Sequence, residues 1–162
     1  MTKHILISII ILLSFSTLTF NKLFATQVDT NRVYGVTIDD ISSLSTIVTS
    51  LSGLCKKPTT RIVFDEFQPA TNYTQAVSQI HPVSYIMGEI CDSYYTPQYT
   101  LQQYTDKTNE YYNLLGSGVD VWEVGNEVNG EWCGTISDVV AKVTSAYNII
   151  KSHNAFLCNN AH

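Results

Sequence analysis

The sequence predicts an α/β protein in which short parallel strands alternate with helices. Apolar, β-branched runs begin roughly every 25 to 35 residues, and the segments between them have helical periodicity. Such alternation implies right-handed crossovers, so a doubly wound open sheet and part of a (β/α) barrel both fit. No Gly-rich phosphate-binding motif follows the first strand, and four strands end in an acid or an amide. These strand ends favour the catalytic rim of a barrel.

The predicted elements follow from periodicity, from helix-breaking residues and from capping residues. Asp40 or Ser42 is a candidate N-cap of the first helix, and Thr135 with Asp138 resembles a capping pair at the start of the last helix. The first half is predicted to contain strands at 32–40 and 59–67 and helices at 41–54 and 71–80. The second half is predicted to contain strands at 83–90 and 119–125, helices at 101–115 and 135–153, and the start of a fifth strand at 155–158. A complete eight-stranded barrel takes about 250 residues. The chain is therefore expected to form the first four to five strands of a TIM-type (β/α)8 barrel, which is an incomplete barrel.

The first 25 residues are typical of a secretory signal peptide. A short, weakly basic start precedes an apolar run at 5–20, and a polar stretch then ends on Ala25, after which cleavage is expected. An uncleaved anchor helix is the alternative, but the run of about 16 residues is shorter than a comfortable bilayer span. The prediction is a secreted or periplasmic protein with no stable membrane span after cleavage and one domain at 26–162.

Composition narrows the class of ligand. Charged residues make up 14% of the 162 residues, the net charge is −5, and no basic run occurs, so nucleic acid is not expected as a partner. Aromatic residues make up 11%, including ten Tyr, which suits amphipathic ligands such as sugars but also fits a Tyr-rich surface. The four Cys and the isolated His show no zinc spacing, so neither a metal nor a cofactor is predicted.

One stretch, VWEVGNEVNGEWCG at 121–134, concentrates the candidate chemistry. A short apolar strand runs into Asn126 and Glu127, and Trp122 and Trp132 lie on either side. A carboxyl group at a strand end is well placed to transfer a proton to a leaving-group oxygen. Trp122 is expected to lie in the core, whereas Trp132 is interpreted either as a stacking platform for a sugar ring or as a loop packing residue.

The motif WEVGNEVNGEW resembles the fourth-strand motif of the large clan of retaining glycoside hydrolases built on the (β/α)8 barrel, clan A; it does not indicate an individual family. The resemblance implies that Glu127 is the general acid/base and that Asn126 binds the sugar 2-hydroxyl. An Arg on the second strand is common in that clan, and Arg61 occupies the second predicted strand.

Other candidates each have two interpretations. In an extended strand Glu123 shares the parity of Glu127, and if it is buried Arg61 is its expected partner. Glu89 ends the third strand as either a rim residue or a solvated loop acid. Tyr94 and Tyr95 either form the wall of a sugar-binding cleft or belong to a surface loop.

Cys91 and Cys133 follow adjacent strands on the same face of the predicted sheet and are expected to form a disulfide. Cys55 and Cys158 fall at the opposite end, and their pairing is left open.

Retaining hydrolysis requires two carboxyl groups about 5 Å apart. By the resemblance, the nucleophilic Glu belongs to a seventh strand, beyond this chain. The expectation is a truncated, exported protein that is inactive in isolation. Its expected partners are oligo- or polysaccharide and either a complementing C-terminal half or a second copy. The alternative is a non-catalytic carbohydrate-binding or vestigial barrel fragment.

Overall fold

The computed structural model describes residues 34–153 and 155–158, and this part of the chain alternates strands with helices. The strands are β1 (Gly35–Ile38), β2 (Thr59–Val63), β3 (Tyr85–Glu89), β4 (Val121–Glu123) and β5 (Phe156–Cys158). The α-helices are α1 (Leu44–Ser52), α2 (Thr74–Ile80), α3 (Leu101–Leu115) and α4 (Ile136–Ser152). Short 3₁₀ helices occupy Ala70–Tyr73, Thr96–Gln98 and Glu131–Cys133. The predicted signal peptide at 1–25 lies outside the described residues.

The strands form one parallel sheet in the order β1-β2-β3-β4-β5. The predicted α/β architecture with alternating units and a parallel sheet is confirmed. The spatial order follows the chain order, and the described strands show no reversal of the kind found at the switch point of a doubly wound sheet.

The two faces of the sheet differ in composition. Residues paired across parallel strands point to the same face, and the register pairs Val63 with Glu89 and Glu89 with Glu123. The opposite parity is mostly apolar and fully buried; its members include Ile62, Phe64, Ile86, Trp122 and Val124. Helix residues that pack into the same core include Leu51, Ile80, Tyr104, Tyr111 and Ile150. We call this the helix-covered face, and the face that carries Arg61, Glu89 and Glu123 the open face.

Apolar surface is exposed at both edges of the described sheet. On β1 the side chain of Val36 is exposed, and on β5 that of Phe156 is exposed. Beside β5, helix α4 presents Ile136, Val140 and Tyr147 to solvent at helical spacing. Among the described strands, β1 and β5 each have a neighbour on one side only. No helix within the described ranges is long and apolar enough to cross a membrane.

The helix starts were predicted with mixed success. Helix α4 is capped by Thr135, whose side chain accepts from the Asp138 backbone N–H at 3.3 Å, as expected from the sequence. The expected cap of α1 by Asp40 or Ser42 is wrong, because α1 begins at Leu44 with no side-chain cap. Asp40 instead accepts from the Ser42 backbone N–H at 2.7 Å and forms a local turn ahead of the helix.

Candidate active site at the strand ends

A buried ion cluster lies on the open face, where β2, β3 and β4 run side by side. Arg61 Nε donates to Glu123 Oε2 at 2.6 Å, and Arg61 Nη2 lies 2.8 Å from Glu89 Oε2. Both glutamate side chains are fully buried, while Arg61 keeps a fifth of its side chain exposed. Of the two interpretations of Glu123, the buried one with Arg61 as partner is therefore the one observed.

Glu89 is the less well-paired carboxyl of the cluster. Its contact with Arg61 is within ion-pair distance, yet neither carboxyl oxygen has a hydrogen bond. We treat the contact as electrostatic, because distance alone does not satisfy the angular requirement of a hydrogen bond. Burial raises the pKa of Glu89 to about 8, against the opposing effect of the Arg61 charge and with a further contribution from Glu123. Glu89 therefore carries a proton over most of the neutral range.

Arg61 also orients Asn126. Burial alone would lower the pKa of Arg61, but the hydrogen bond to Glu123 and the charges of Glu89 and Glu123 outweigh it and raise that pKa. The same Nη2 donates to Asn126 Oδ1 at 3.1 Å. Since the guanidinium can only donate, the amide must turn its oxygen toward Arg61, and its N–H donors then point elsewhere. The Arg on the second strand and the Asn after the fourth strand are thus brought together.

Glu127 follows in a tight turn with an unusual backbone. Its φ angle is +44°, in the left-handed region that residues with a Cβ rarely adopt. The turn is closed by the Gly130 backbone N–H, which donates to the Glu127 carbonyl at 2.7 Å. Such a conformation costs on the order of 1 kcal/mol or more and is found preferentially at functional sites.

A hydrogen-bond chain connects Glu127 with Trp132. Ser93 Oγ donates to Glu127 Oε2 at 3.2 Å, and Trp132 Nε1 donates to Ser93 Oγ at 2.9 Å. The Trp132 side chain is 51% exposed, and part of its ring packs so closely on Gly130 that a Cβ there would lie 2.5 Å from it. Trp132 therefore combines a fixed edge with exposed ring surface, whereas Trp122 is fully buried in the core as predicted.

A cleft of about 630 Å³ lies next to this site, at the ends of β1, β2 and β3. Tyr94 and Tyr95 are among its lining residues and contact each other edge to face at 5.2 Å. The cleft is also lined by four carboxyl groups, those of Asp39, Asp65, Glu66 and Asp92. Both tyrosines thus lie at a cleft wall, but Glu127 and Trp132 are not part of its lining.

The predicted disulfide is not present. Cys91 and Cys133 are both free thiols and do not lie at disulfide distance. Cys91 belongs to the core and donates to the Asp92 carbonyl at 3.3 Å, and burial raises the pKa of its thiol to about 12. Cys133 lies beside the turn at Glu127 and donates to the Glu127 carbonyl at 3.4 Å. The two loops follow adjacent strands, but Cys91 packs in the hydrophobic core, whereas Cys133 contacts the turn at Glu127.

Sequence reasoning missed two residues at this end of the sheet. Ser93 lies in a Tyr-rich loop, and nothing in the sequence marks it. Phe67 has a φ angle of +52°, is exposed, and stacks on Tyr99 with ring centroids 4.6 Å apart. Its signal in the sequence was an aromatic residue just past the acids that end the second strand.

Among the described residues, no group of His, Cys, Asp and Glu could hold a metal ion. Comparisons with protein-family models, with curated proteins and with solved structures found no match to this chain.

Proposed function

We propose that this chain supplies the acid/base half of a retaining glycoside hydrolase active site, with Glu127 as general acid/base. The observation that carries the proposal is the hydrogen bond from Arg61 to Asn126, the residue directly before Glu127 in the sequence. Arg61 in turn binds the buried carboxyl groups of Glu89 and Glu123. Polar side chains from three neighbouring strands thus converge at the strand ends, where parallel α/β enzymes keep their catalytic groups.

The winding of the sheet supports the barrel form of this proposal. The strands follow one another in chain order, and residues from all four α-helices pack into the core on one face. In a (β/α)8 barrel the helices surround the sheet and the other face turns inward. The described sheet would then be the first five strands of such a barrel, with the open face as part of its interior.

Each residue has a role in this mechanism. Glu127 would protonate the leaving-group oxygen and later remove a proton from water. The N–H donors of Asn126, turned outward by Arg61, would bind a sugar hydroxyl, and the exposed face of Trp132 would stack on a sugar ring. In the clan that the motif resembles, the nucleophilic Glu belongs to the seventh strand. A longer product or a complementing C-terminal half would supply that carboxylate.

The test is hydrolysis of a panel of aryl glycosides by the wild type and by Glu127→Gln, each completed with the segment that supplies the nucleophilic Glu. Loss of a general acid/base typically costs 10²- to 10⁴-fold, so kcat/KM should fall by about that factor. Glu131→Gln is the matched control, because Glu131 is an exposed acid in the next turn. Hydrolysis that survives Glu127→Gln unchanged would contradict the assignment.

The DNA downstream of the coding sequence provides a second test. A continuation, in frame or frameshifted, that encodes further β-α units and a strand ending in Glu would support the complementation part of the proposal. A downstream sequence with no such strand, combined with an inactive chain, would favour the alternative function.

That alternative is a carbohydrate-binding protein without catalysis. The half-exposed ring of Trp132 and the cleft lined by Tyr94 and Tyr95 favour it, because aromatic faces bind sugar rings without any reaction. It predicts binding of oligosaccharides that is lost in Trp132→Ala, with no turnover. Absence of binding to every glycan tested would remove it.

Export is the remaining part of the proposal. A chain carrying the predicted leader should be cleaved after Ala25 when expressed with a functional secretion system. N-terminal sequencing of the exported product checks this, and a product that retains residues 1–25 would support the anchor alternative.

A further inference from the structure

Three side chains from two separate loops form a directional hydrogen-bond chain. Trp132 lies in the turn after β4, and its indole N–H donates to the buried Ser93, which lies in the loop after β3. Ser93 in turn donates to the carboxylate of Glu127 at 3.2 Å. We propose that Ser93 links the Trp132 ring to the Glu127 carboxylate, so that a sugar stacked on Trp132 positions Glu127. This inference rests on the proposed function.

The direction of the chain is dictated by donor and acceptor chemistry. An indole N–H can only donate, so Ser93 Oγ must be the acceptor of that bond. A serine hydroxyl has a single proton, and with the indole bond accepted this proton is directed to Glu127 Oε2. A change in the position of the indole therefore changes the direction of the hydroxyl that Glu127 receives.

The surroundings leave the three groups little freedom to move independently. The Trp132 ring packs on the backbone of Gly130, and the Gly130 N–H closes the turn at the Glu127 carbonyl. Ser93 is enclosed by its neighbours, since the residue is only 3% exposed. The backbone and side-chain links thus join the same two residues, Glu127 and Trp132, into one unit.

The consequence concerns when Glu127 is correctly placed. A sugar ring on the exposed face of Trp132 would hold the indole still, and Ser93 would then hold the carboxylate in one orientation. Ser93 is in this sense a positioning residue, which acts on the sugar only through Trp132 and Glu127. Neither composition nor motif identifies it, because its two partners lie 34 and 39 residues away along the chain.

The link can be measured without catalysis, by NMR of the indole N–H groups. The chain has two Trp, so two indole resonances are expected, and Trp132→Phe identifies the one from Trp132. Glu127→Gln should displace the Trp132 resonance, because Ser93 accepts from the Trp132 indole N–H and donates to the Glu127 carboxylate. Glu131→Gln, which changes the acid next to Trp132 in sequence, is the control for a general electrostatic effect.

The decisive comparison is the same pair of substitutions in Ser93→Ala. The displacement caused by Glu127→Gln should disappear, and any displacement caused by Glu131→Gln should remain. A Trp132 resonance that does not respond to Glu127→Gln in the native background overturns the proposal. This measurement in the native background needs no Ser93 variant and therefore tests the proposal even if Ser93→Ala fails to fold.

Titration with cello-, xylo- and chito-oligosaccharides separates this inference from the proposed function. If one of them binds, Ser93→Ala should weaken its affinity about three- to tenfold, the loss typical of one hydrogen bond. Trp132→Phe, which keeps a stacking face but lacks the N–H, should give a similar loss. Indole coupling with no glycan binding would contradict the proposed function alone. Glycan binding that is unchanged in Ser93→Ala, with no indole coupling, would contradict the Ser93 link alone.

Discussion

The helix-covered face and the open face of the sheet are built from the same strands by different rules. On the helix-covered face, Ile62, Phe64 and Trp122 are fully buried and belong to the core of apolar and aromatic side chains. On the open face, one arginine holds two fully buried glutamates. Alternate residues of one strand thus either pack in the apolar core or contribute to the ion cluster, because successive side chains point to opposite faces.

The helix-covered face stabilises the fold, whereas the open face carries an energetic cost. Burial of apolar side chains stabilises in proportion to the area removed from water. Buried carboxyl groups require a partner, and an arrangement with two of them for one arginine leaves a proton on Glu89. A costly arrangement of this kind, next to the strained backbone of Glu127, is typical of a functional site.

The largest expected effect is on the helix-covered face. Trp122→Ala should lower the free energy of unfolding by about 4 kcal/mol, because it removes a fully buried aromatic side chain packed against Phe64 and Tyr112. Urea denaturation measures it. Tyr94→Ala is the control, since this side chain is 64% exposed and its removal should change stability by less than about 0.5 kcal/mol. Equal effects of the two substitutions would contradict the assignment of the core.

Arg61→Met should be nearly as damaging at neutral pH. It keeps much of the side-chain volume but leaves the buried carboxyl group of Glu123 without its cation, next to the protonated Glu89, a loss of about 3 kcal/mol. The loss should be smaller at pH 5, because protonation relieves an unpaired buried carboxylate. Lys151→Met, a change in an exposed cation at the end of α4, serves as the control. A destabilisation that does not vary with pH would show that Arg61 acts by packing alone.

The protonation of Glu89 predicts how stability varies with pH. Its pKa is raised from 4.5 to about 8, so between these values the folded chain binds more protons than the unfolded chain. The contribution is fully present below pH 4.5 and is lost as the pH rises through 8. With a slope of at most about 1.4 kcal/mol per pH unit, stability should fall by about 2 kcal/mol from pH 5.5 to 7.5. Glu89→Gln should flatten this slope, and an unchanged slope in that variant would refute the assignment.

Glu127→Gly is expected to have the smallest effect, and one of opposite sign. Glycine adopts a φ angle of +44° without a Cβ penalty, and relief of this strain should exceed the loss of the Ser93 hydrogen bond. The substitution should therefore stabilise the fold by less than about 1 kcal/mol while it removes the proposed acid/base. Thermal and urea unfolding measure the gain. Asn129→Gly in the same turn is the control for added chain flexibility, and it should give no such gain because Asn129 is not among the residues with positive φ. A destabilised Glu127→Gly would show that the side chain is needed for folding.

Local patterns predicted much of this molecule. The order of strands and helices and the buried position of Trp122 follow from periodicity, and strand parity correctly pointed to Arg61 as the partner of Glu123. The expected Cys91–Cys133 disulfide was wrong because the alternation of side chains along a strand does not continue into the loops. Cys91 packs in the hydrophobic core, whereas Cys133 contacts the turn at Glu127. Signal-peptide cleavage and export stay predictions.

The alternation of elements and the apolar side of each strand follow from local sequence, because both depend on spacing along a few consecutive residues. The folded structure was needed to show that Glu89 shares Arg61 with Glu123, that Glu127 adopts a left-handed backbone, and that Ser93 connects it to Trp132. These features depend on distances across neighbouring strands and between loops, and on the burial that those distances create. Burial sets the proton on Glu89, and it arises only when separate strands come together.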